Sequence, residues 1–263
     1  MTDKNTGRFV WYDLMTTDTK AAAAFYTDVV RWTTEAWEKG DYTMWVGSQG
    51  PVGGVAAIGE DAKKAGTPPH WLAHVVVANV DEAAEKVKRI GGTVVRPPQD
   101  IPEVGRFAVV ADPHGATISI FASSRDDMAA HDTAKHGEFS WHELVTTDHE
   151  SAFAFYNQLF GWERLSEFDM GAMGKYLLWG REGKQLGGMM TLPKGMKTPD
   201  GRDVPPSWMY YITTGDFDAA LERAKAKGAR VLNGPMDVPG GQRIVQLMDP
   251  QGAAIALVTP PAT

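Results

Sequence analysis

The chain has 263 residues, of which 43% are hydrophobic and 22% charged, the balance of an ordinary soluble globular protein, with length enough for two domains that each bury a core. It has no cysteine, which excludes a disulfide framework, a thiolate nucleophile and any Cys-ligated zinc or iron–sulfur cluster. Its formal charge of −7 is spread along the chain without a basic stripe, so nucleic acid is not an expected partner.

In chain order, an alternating strand is expected over Phe9 to Met15, then a helix capped by Asp18 with "TKAAAAFYTDVVRW" at helical spacing. Two short strands, "YTMWVG" and "VGGVAAI", follow, and their glycine pair reads as a bend or bulge. "WLAHVVV" is the next strand, Asp81 is expected to cap "EAAEKVKRIGG", and "TVVR", "RFAVVAD" and "ATISIF" are three more strands. Gly91-Gly92 and Gly228 stand where helices need a left-handed C-terminal residue. The polar N-terminus has no signal-peptide core and no apolar run reaches about 20 residues, so the expected location is cytoplasmic, with no membrane partner.

The pattern repeats. Trp11, Asp18, Phe25, Tyr26 and Trp32 recur 130 positions later as Trp141, Asp148, Phe155, Tyr156 and Trp162. Trp45, Gly53 and Gly54 return as Trp179, Gly187 and Gly188 at an offset of 134, and Trp71, Asp81, Gly91, Asp112, Pro113 and Gly115 as Trp208, Asp218, Gly228, Asp249, Pro250 and Gly252 at 137. The added residues fall in Gly- and Pro-rich stretches, as insertions in loops do. The expectation is an α+β fold of four βαβββ units, in modules 1–124 and 139–263 joined by a linker over 125–138.

Four βαβββ units, openings of the form W-x-[DE]-L-x-T-T-D…F-Y…W and closings of the form D-P-x-G-A-x-I resemble the vicinal oxygen chelate superfamily, the glyoxalase, bleomycin-resistance and extradiol dioxygenase fold, and most of all its two-module glyoxalase-like or "hydroxylase" proteins. The resemblance spans about Arg8 to Thr259 and implies two half-open barrels, each holding a divalent metal on residues of its strands. It places the first ligand, usually His or Gln, at Trp11 and Trp141, the second at Leu72 and Met209, and the third, usually Glu, at Ser119 and Ala256. None of these is a metal ligand of that type, so no metal and no cofactor are expected.

Strand alternation puts Asp13 on the face of Trp11, Glu143 on that of Trp141, His74 on that of Leu72 and Tyr211 on that of Met209. Asp13 with His74 reads either as an acid–base dyad or as a buried polar pair that satisfies itself, and Glu143 with Tyr211 either as a ligand-reading or base pair or as an internal hydrogen bond. Trp11, Trp45, Trp141 and Trp179 read as aromatic pocket walls or as core, with Trp71 and Trp208 packed on helices. His70 and His114 are expected in exposed loops. His131, His136, His142 and His149 fall in the linker, on the outward face or at a helix start. Three functions fit: metal-free binding of a small apolar or aromatic molecule, a metal-free lyase or isomerase, and a metal-dependent glyoxalase- or dioxygenase-type enzyme. The chain would act on a small molecule, as a monomer or a homodimer.

Overall fold

A computed structural model describes residues 5–38, 40–124, 134–197, 201 and 203–261. His131 and most of the expected linker lie outside them. The first half runs β1 (Phe9–Thr16), α1 (Thr19–Val29), β2 (Thr33–Ala36), β3 (Thr43–Gly47), β4 (Gly50–Ala57), a short α2 (Glu60–Lys64), β5 (His70–Val76), α3 (Val80–Arg89), β6 (Thr93–Ile101), β7 (Gly105–Ala111) and β8 (Thr117–Ser123). The second runs β9 (Phe139–Thr146), α4 (His149–Phe160), β10 (Glu163–Asp169), β11 (Lys175–Arg181), β12 (Lys184–Thr191), β13 (Ser207–Thr213), α5 (Phe217–Ala226), β14 (Arg230–Val238), β15 (Gln242–Met248) and β16 (Ala254–Val258). Two eight-stranded sheets result, ordered β2-β3-β4-β1-β5-β8-β7-β6 and β10-β11-β12-β9-β13-β16-β15-β14. This is the α+β architecture of four βαβββ units. β2 carried no sequence signal because all four of its residues are exposed and nothing apolar alternates along it. Among the described residues no helix is long and apolar enough to cross a membrane.

The expected caps of α1 and α4 are present: Asp18 accepts from the Ala21 amide at 2.9 Å, and Asp148 from those of Glu150 and Ser151 at 3.0 and 3.1 Å. Asp81 is corrected. α3 starts two residues earlier, on Asn79, whose side chain accepts from the amides of Asp81 and Glu82, and this start puts Val80 into the core. Phe217 does the same for α5 behind Asp216. Asp81 instead pairs with Arg106 at 2.9 Å, as Asp218 does with Arg243 at 3.0 Å.

α4 ends on Gly161 at φ 74°, whereas the equivalent residue after α1 is Arg31 at φ 65°. A left-handed backbone costs a non-glycine residue about 1–2 kcal/mol, and the exposed Arg31–Asp28 pair returns little. Arg31→Gly is therefore expected to stabilise the protein by about 0.5–1 kcal/mol after the entropy cost of glycine, read as a rise of a few degrees in Tm. An unchanged or lower Tm would contradict the argument.

The described residues pack into two compact units, each drawing on both halves of the chain: one of residues 5–10, 73–124, 141–197, 201 and 203–208, the other of residues 11–38, 40–72, 134–140 and 209–261. The repeated aromatic and D-P-x-G residues have matching structural roles in them. In the second unit Trp71 Nε1 donates to the Tyr26 hydroxyl at 3.1 Å and Tyr26 donates to Asp249 Oδ2 at 3.0 Å. Asp249 Oδ1 holds its own turn through the amides of Gln251, Gly252 and Ala253. The first unit repeats this with Trp208, Tyr156 and Asp112, at 3.2 Å for each step. Burial pushes the Tyr26 phenol up, so it stays a donor, and raises the Asp249 carboxyl as well. Ring pairs complete the cores: Tyr12 stacks on Phe139 at 3.7 Å in the second unit and Phe9 on His142 at 3.6 Å in the first.

Candidate functional site

Along β1 the buried residues Tyr12, Leu14 and Thr16 alternate with the partly exposed Trp11, Asp13 and Met15, which is the expected parity. On that face Trp11 Nε1 donates to the Tyr42 hydroxyl at 2.7 Å and to Asp13 Oδ1 at 3.1 Å, and the Tyr42 hydroxyl donates to the same Oδ1 at 2.5 Å. Burial, and then the charge of Asp13, push the Tyr42 phenol far above its usual range. The phenol is thus a permanent donor, and protons point one way along the chain: indole to phenol to carboxylate. The first unit builds the same array on β9, where Trp141 Nε1 donates to the Tyr176 hydroxyl at 3.1 Å and Tyr176 to Glu143 Oε2 at 2.8 Å. Its carboxylate stands on one more methylene.

The glycine pairs explain how the tyrosines fit. Gly54 lies in register with Asp13, and Gly188 with Glu143, on the parallel neighbours β4 and β12. A Cβ on Gly54 would stand 2.1 Å from the Tyr42 hydroxyl oxygen, and one on Gly188 would stand 2.1 Å from Tyr176 Cζ. Gly53 and Gly187 serve the backbone instead, since their Cβ atoms would meet the carbonyl oxygens of Tyr12 and His142 at 2.0 and 1.9 Å. A register slip between Trp45 and Val46, next to Gly53, supplies the expected bulge.

The other sequence-derived candidates divide. In the first unit His74 is buried on β5, in register with Ser119 of β8, with the rings of Phe107 and Phe121 about it at 6.0 and 6.1 Å. The Ser119 hydroxyl donates to the Ala108 carbonyl at 3.2 Å. In the second unit Tyr211 of β13 lies in register with Ala256 and its hydroxyl accepts from Gln246 Nε2 at 2.7 Å. Leu72 is buried and Met209 half-buried. Asp13 and Tyr211 belong to one unit and Glu143 and His74 to the other; within its own unit each carboxylate takes a tyrosine, Tyr42 or Tyr176, that the sequence reading missed.

Trp45 and Trp179 are corrected: they are core, not pocket wall. Both are fully buried, Trp45 against Tyr26, Trp32 and Trp71, and Trp179 stacked on Trp162 at 4.0 Å. The reason is parity. Tyr42 and Trp45 are an odd number of residues apart, so when Tyr42 faces Asp13 the indole of Trp45 turns to the helices. The recurrence of Tyr42 as Tyr176 at the same offset as Trp45 and Trp179 was the signal that could have found the tyrosines. His114, expected in an exposed turn, is half-buried with Nδ1 2.8 Å from Thr147 Oγ1.

The residues at the implied metal-ligand positions do not fit a divalent ion. Trp11 and Trp141 present indole N–H donors already directed at hydroxyls, Ser119 is tied to a carbonyl, and Leu72, Met209 and Ala256 offer at most a thioether.

Known proteins share this fold. The model of the glyoxalase/bleomycin resistance protein/dioxygenase superfamily matches residues 8–120 and 138–257. The chain is 32% identical over 254 residues to "Putative glyoxylase CFP32" of Mycobacterium bovis, covering 95% of this chain and 94% of that protein. It is 30% identical over 266 residues to the anthracycline biosynthesis protein DauV of Streptomyces sp. strain C5, covering 96% and 93%. Its fold is similar to the Mn(II)-bound glyoxalase of Novosphingobium aromaticivorans, with TM-score 0.65, 14% identity and coverage of 98% and 83%. An extradiol ring-cleaving dioxygenase from B. fuscum gives TM-score 0.67, 15% identity and coverage of 98% and 73%.

Proposed function

This chain belongs to the glyoxalase/bleomycin resistance protein/dioxygenase superfamily, and from that premise we propose that it binds a small apolar or aromatic molecule without a metal ion, oriented by Asp13 and Glu143. The observation that carries the reading is the pair of Trp–Tyr–carboxylate arrays, in which an indole stands at the first implied ligand position and its N–H is spent on a phenol. Partly exposed indoles give a flat ligand a stacking surface, and one oriented carboxylate beside them gives a hydrogen-bonding partner for a hydroxyl or amine. The Streptomyces relative named for anthracycline biosynthesis supports a flat aromatic ligand class.

The same carboxylates support a second reading, a metal-free isomerase step in which Asp13 or Glu143 takes a proton from a carbon beside a substrate carbonyl, the electron pair passing to the carbonyl oxygen as an enolate, and returns it to the neighbouring carbon, while the tyrosine hydrogen bond holds the carboxylate in place. Both readings share one test. Purified protein is expected to bind an anthracycline with quenching of tryptophan fluorescence, and Trp11→Ala with Trp141→Ala to weaken that binding by about fivefold or more, since a stacked aromatic contributes about 1–3 kcal/mol. Elemental analysis showing roughly one equivalent of Mn, Fe, Ni or Zn per module, lost in Asp13→Asn or Glu143→Gln, would overturn the metal-free reading. Exchange of a ligand C–H for solvent deuterium, abolished by Asp13→Asn or Glu143→Gln, would select the enzymatic reading over simple binding.

A further inference from the structure

A different cluster lies at the start of α4 in the first unit. His149, the first residue of that helix, sits with Glu150 and with Glu167 of β10 so that one ligand atom from each falls within 4.8 Å of the others. The imidazole is held from behind: Nδ1 lies 2.7 Å from Thr191 Oγ1, which also accepts the His149 backbone N–H at 3.1 Å. In the tautomer that donates Nδ1–H to Thr191, Nε2 carries a lone pair. That nitrogen is buried with no hydrogen-bond partner, on a side chain only 10% exposed, and Glu150 Oε1 lies 3.6 Å away. A fixed imidazole whose far nitrogen is tied to a hydroxyl and whose near nitrogen is an unused acceptor beside two carboxylates has the form of a metal ligand with its orienting partner.

We propose that His149, Glu150 and Glu167 form a surface site for a divalent transition metal of the zinc class, which ties the start of α4 to the hairpin of β10 and β11. An imidazole with two carboxylates is a nitrogen–oxygen donor set that zinc accepts in three-ligand sites, leaving further positions to water. Two cations now balance the carboxylates: Arg164 pairs with Glu150 and reaches Glu167 at 3.4 Å, and Lys175 Nζ lies 2.7 Å from Glu167. One divalent ion delivers the same two charges at a single point and satisfies the His149 nitrogen, which both cations, engaged with the carboxylates, leave without a hydrogen bond. Arg164 and Lys175 then move to water, so they act as competitors of the ion.

Zinc titrated into chelator-stripped full-length protein by calorimetry, with cobalt absorption as the spectroscopic readout, tests the site. One saturable equivalent is expected, with a rise in Tm. His149→Ala and the surface change Glu167→Gln should each weaken binding by about tenfold or more, and Arg164→Ala should tighten it several-fold by removing a competitor. Circular dichroism checks that each variant is folded. Absence of a saturable equivalent, or an equivalent untouched by these three substitutions, overturns the proposal. Asp13→Asn and Glu143→Gln separate it from the barrel reading: zinc lost in those variants, rather than in His149→Ala, overturns both the surface site and the metal-free barrels.

Discussion

Gly188→Ala is expected to dislodge Tyr176 from Glu143 and to reduce ligand affinity in the first unit as much as Tyr176→Phe does. The Cβ would stand 2.1 Å from Cζ and 2.2 Å from Cε1 and the hydroxyl oxygen of Tyr176, well inside contact distance. The ring is the end of a partly exposed side chain and can swing away, so the fold survives at a cost of about 1–3 kcal/mol while both hydrogen bonds of the array are lost. Gly187→Ala behaves differently. Its Cβ would meet the His142 carbonyl oxygen at 1.9 Å, on the parallel strand β9, and neither backbone can yield without breaking the ladder. The expected loss there is about 3 kcal/mol or more, at the upper end of overpacking effects. Urea unfolding gives the stabilities and fluorescence titration the affinities. If Tyr176→Phe weakens binding and Gly188→Ala does not, the tyrosine is not seated on Gly188.

The second large effect concerns pH. His142 is buried in the first unit, stacked on Phe9, with Nδ1 2.8 Å from the Leu186 carbonyl, and burial pushes its imidazole down to about 4. The unfolded chain takes up this proton near its ordinary 6.5. Between those values the unfolded state binds more protons than the folded one, so stability falls as pH falls through 6.5 and stops falling below about 4. The slope approaches about 1.4 kcal/mol per pH unit, for a total of about 3 kcal/mol, and above pH 7 the effect is absent. His142→Tyr installs the residue that stands at the equivalent place in the first half, Tyr12, which also stacks on a phenylalanine. Its stability should therefore lose much less between pH 7 and pH 4 than that of the unchanged protein. Parallel curves for the two proteins in urea unfolding across that range would show that His142 is not held neutral.

Much of this was legible in the chain alone. The duplicated spacing of Trp, Asp and Gly, Asp18 and Asp148 as helix caps, and the period of two that puts Asp13 beside Trp11 and Glu143 beside Trp141 are local or periodic signals, and local geometry obeys them. β2 was not legible, because an exposed strand is held by its neighbour's backbone and needs no apolar residue. Asp81 misled because an acidic residue in a first helical turn is equally at home two residues inside the helix, and only the burial of Val80 decides where the turn begins. Trp45 and Trp179 misled because their parity is set by β3 and β11, which the sequence delimits less sharply than β1.

By itself, then, the sequence determined the repeated βαβββ order, the position of each carboxylate and the residue types at the implied ligand positions, since all three depend on residue identity at a known place along a strand. Only the tertiary structure decided which side chains those carboxylates meet. Tyr42 and Tyr176 reach Asp13 and Glu143 across a neighbouring strand, over a glycine that leaves room for the ring, and that approach depends on register between segments some 30 residues apart. The same holds for His149 and Glu167, which are brought together by the return of β10 along the start of α4 and share no spacing that marks them in the chain.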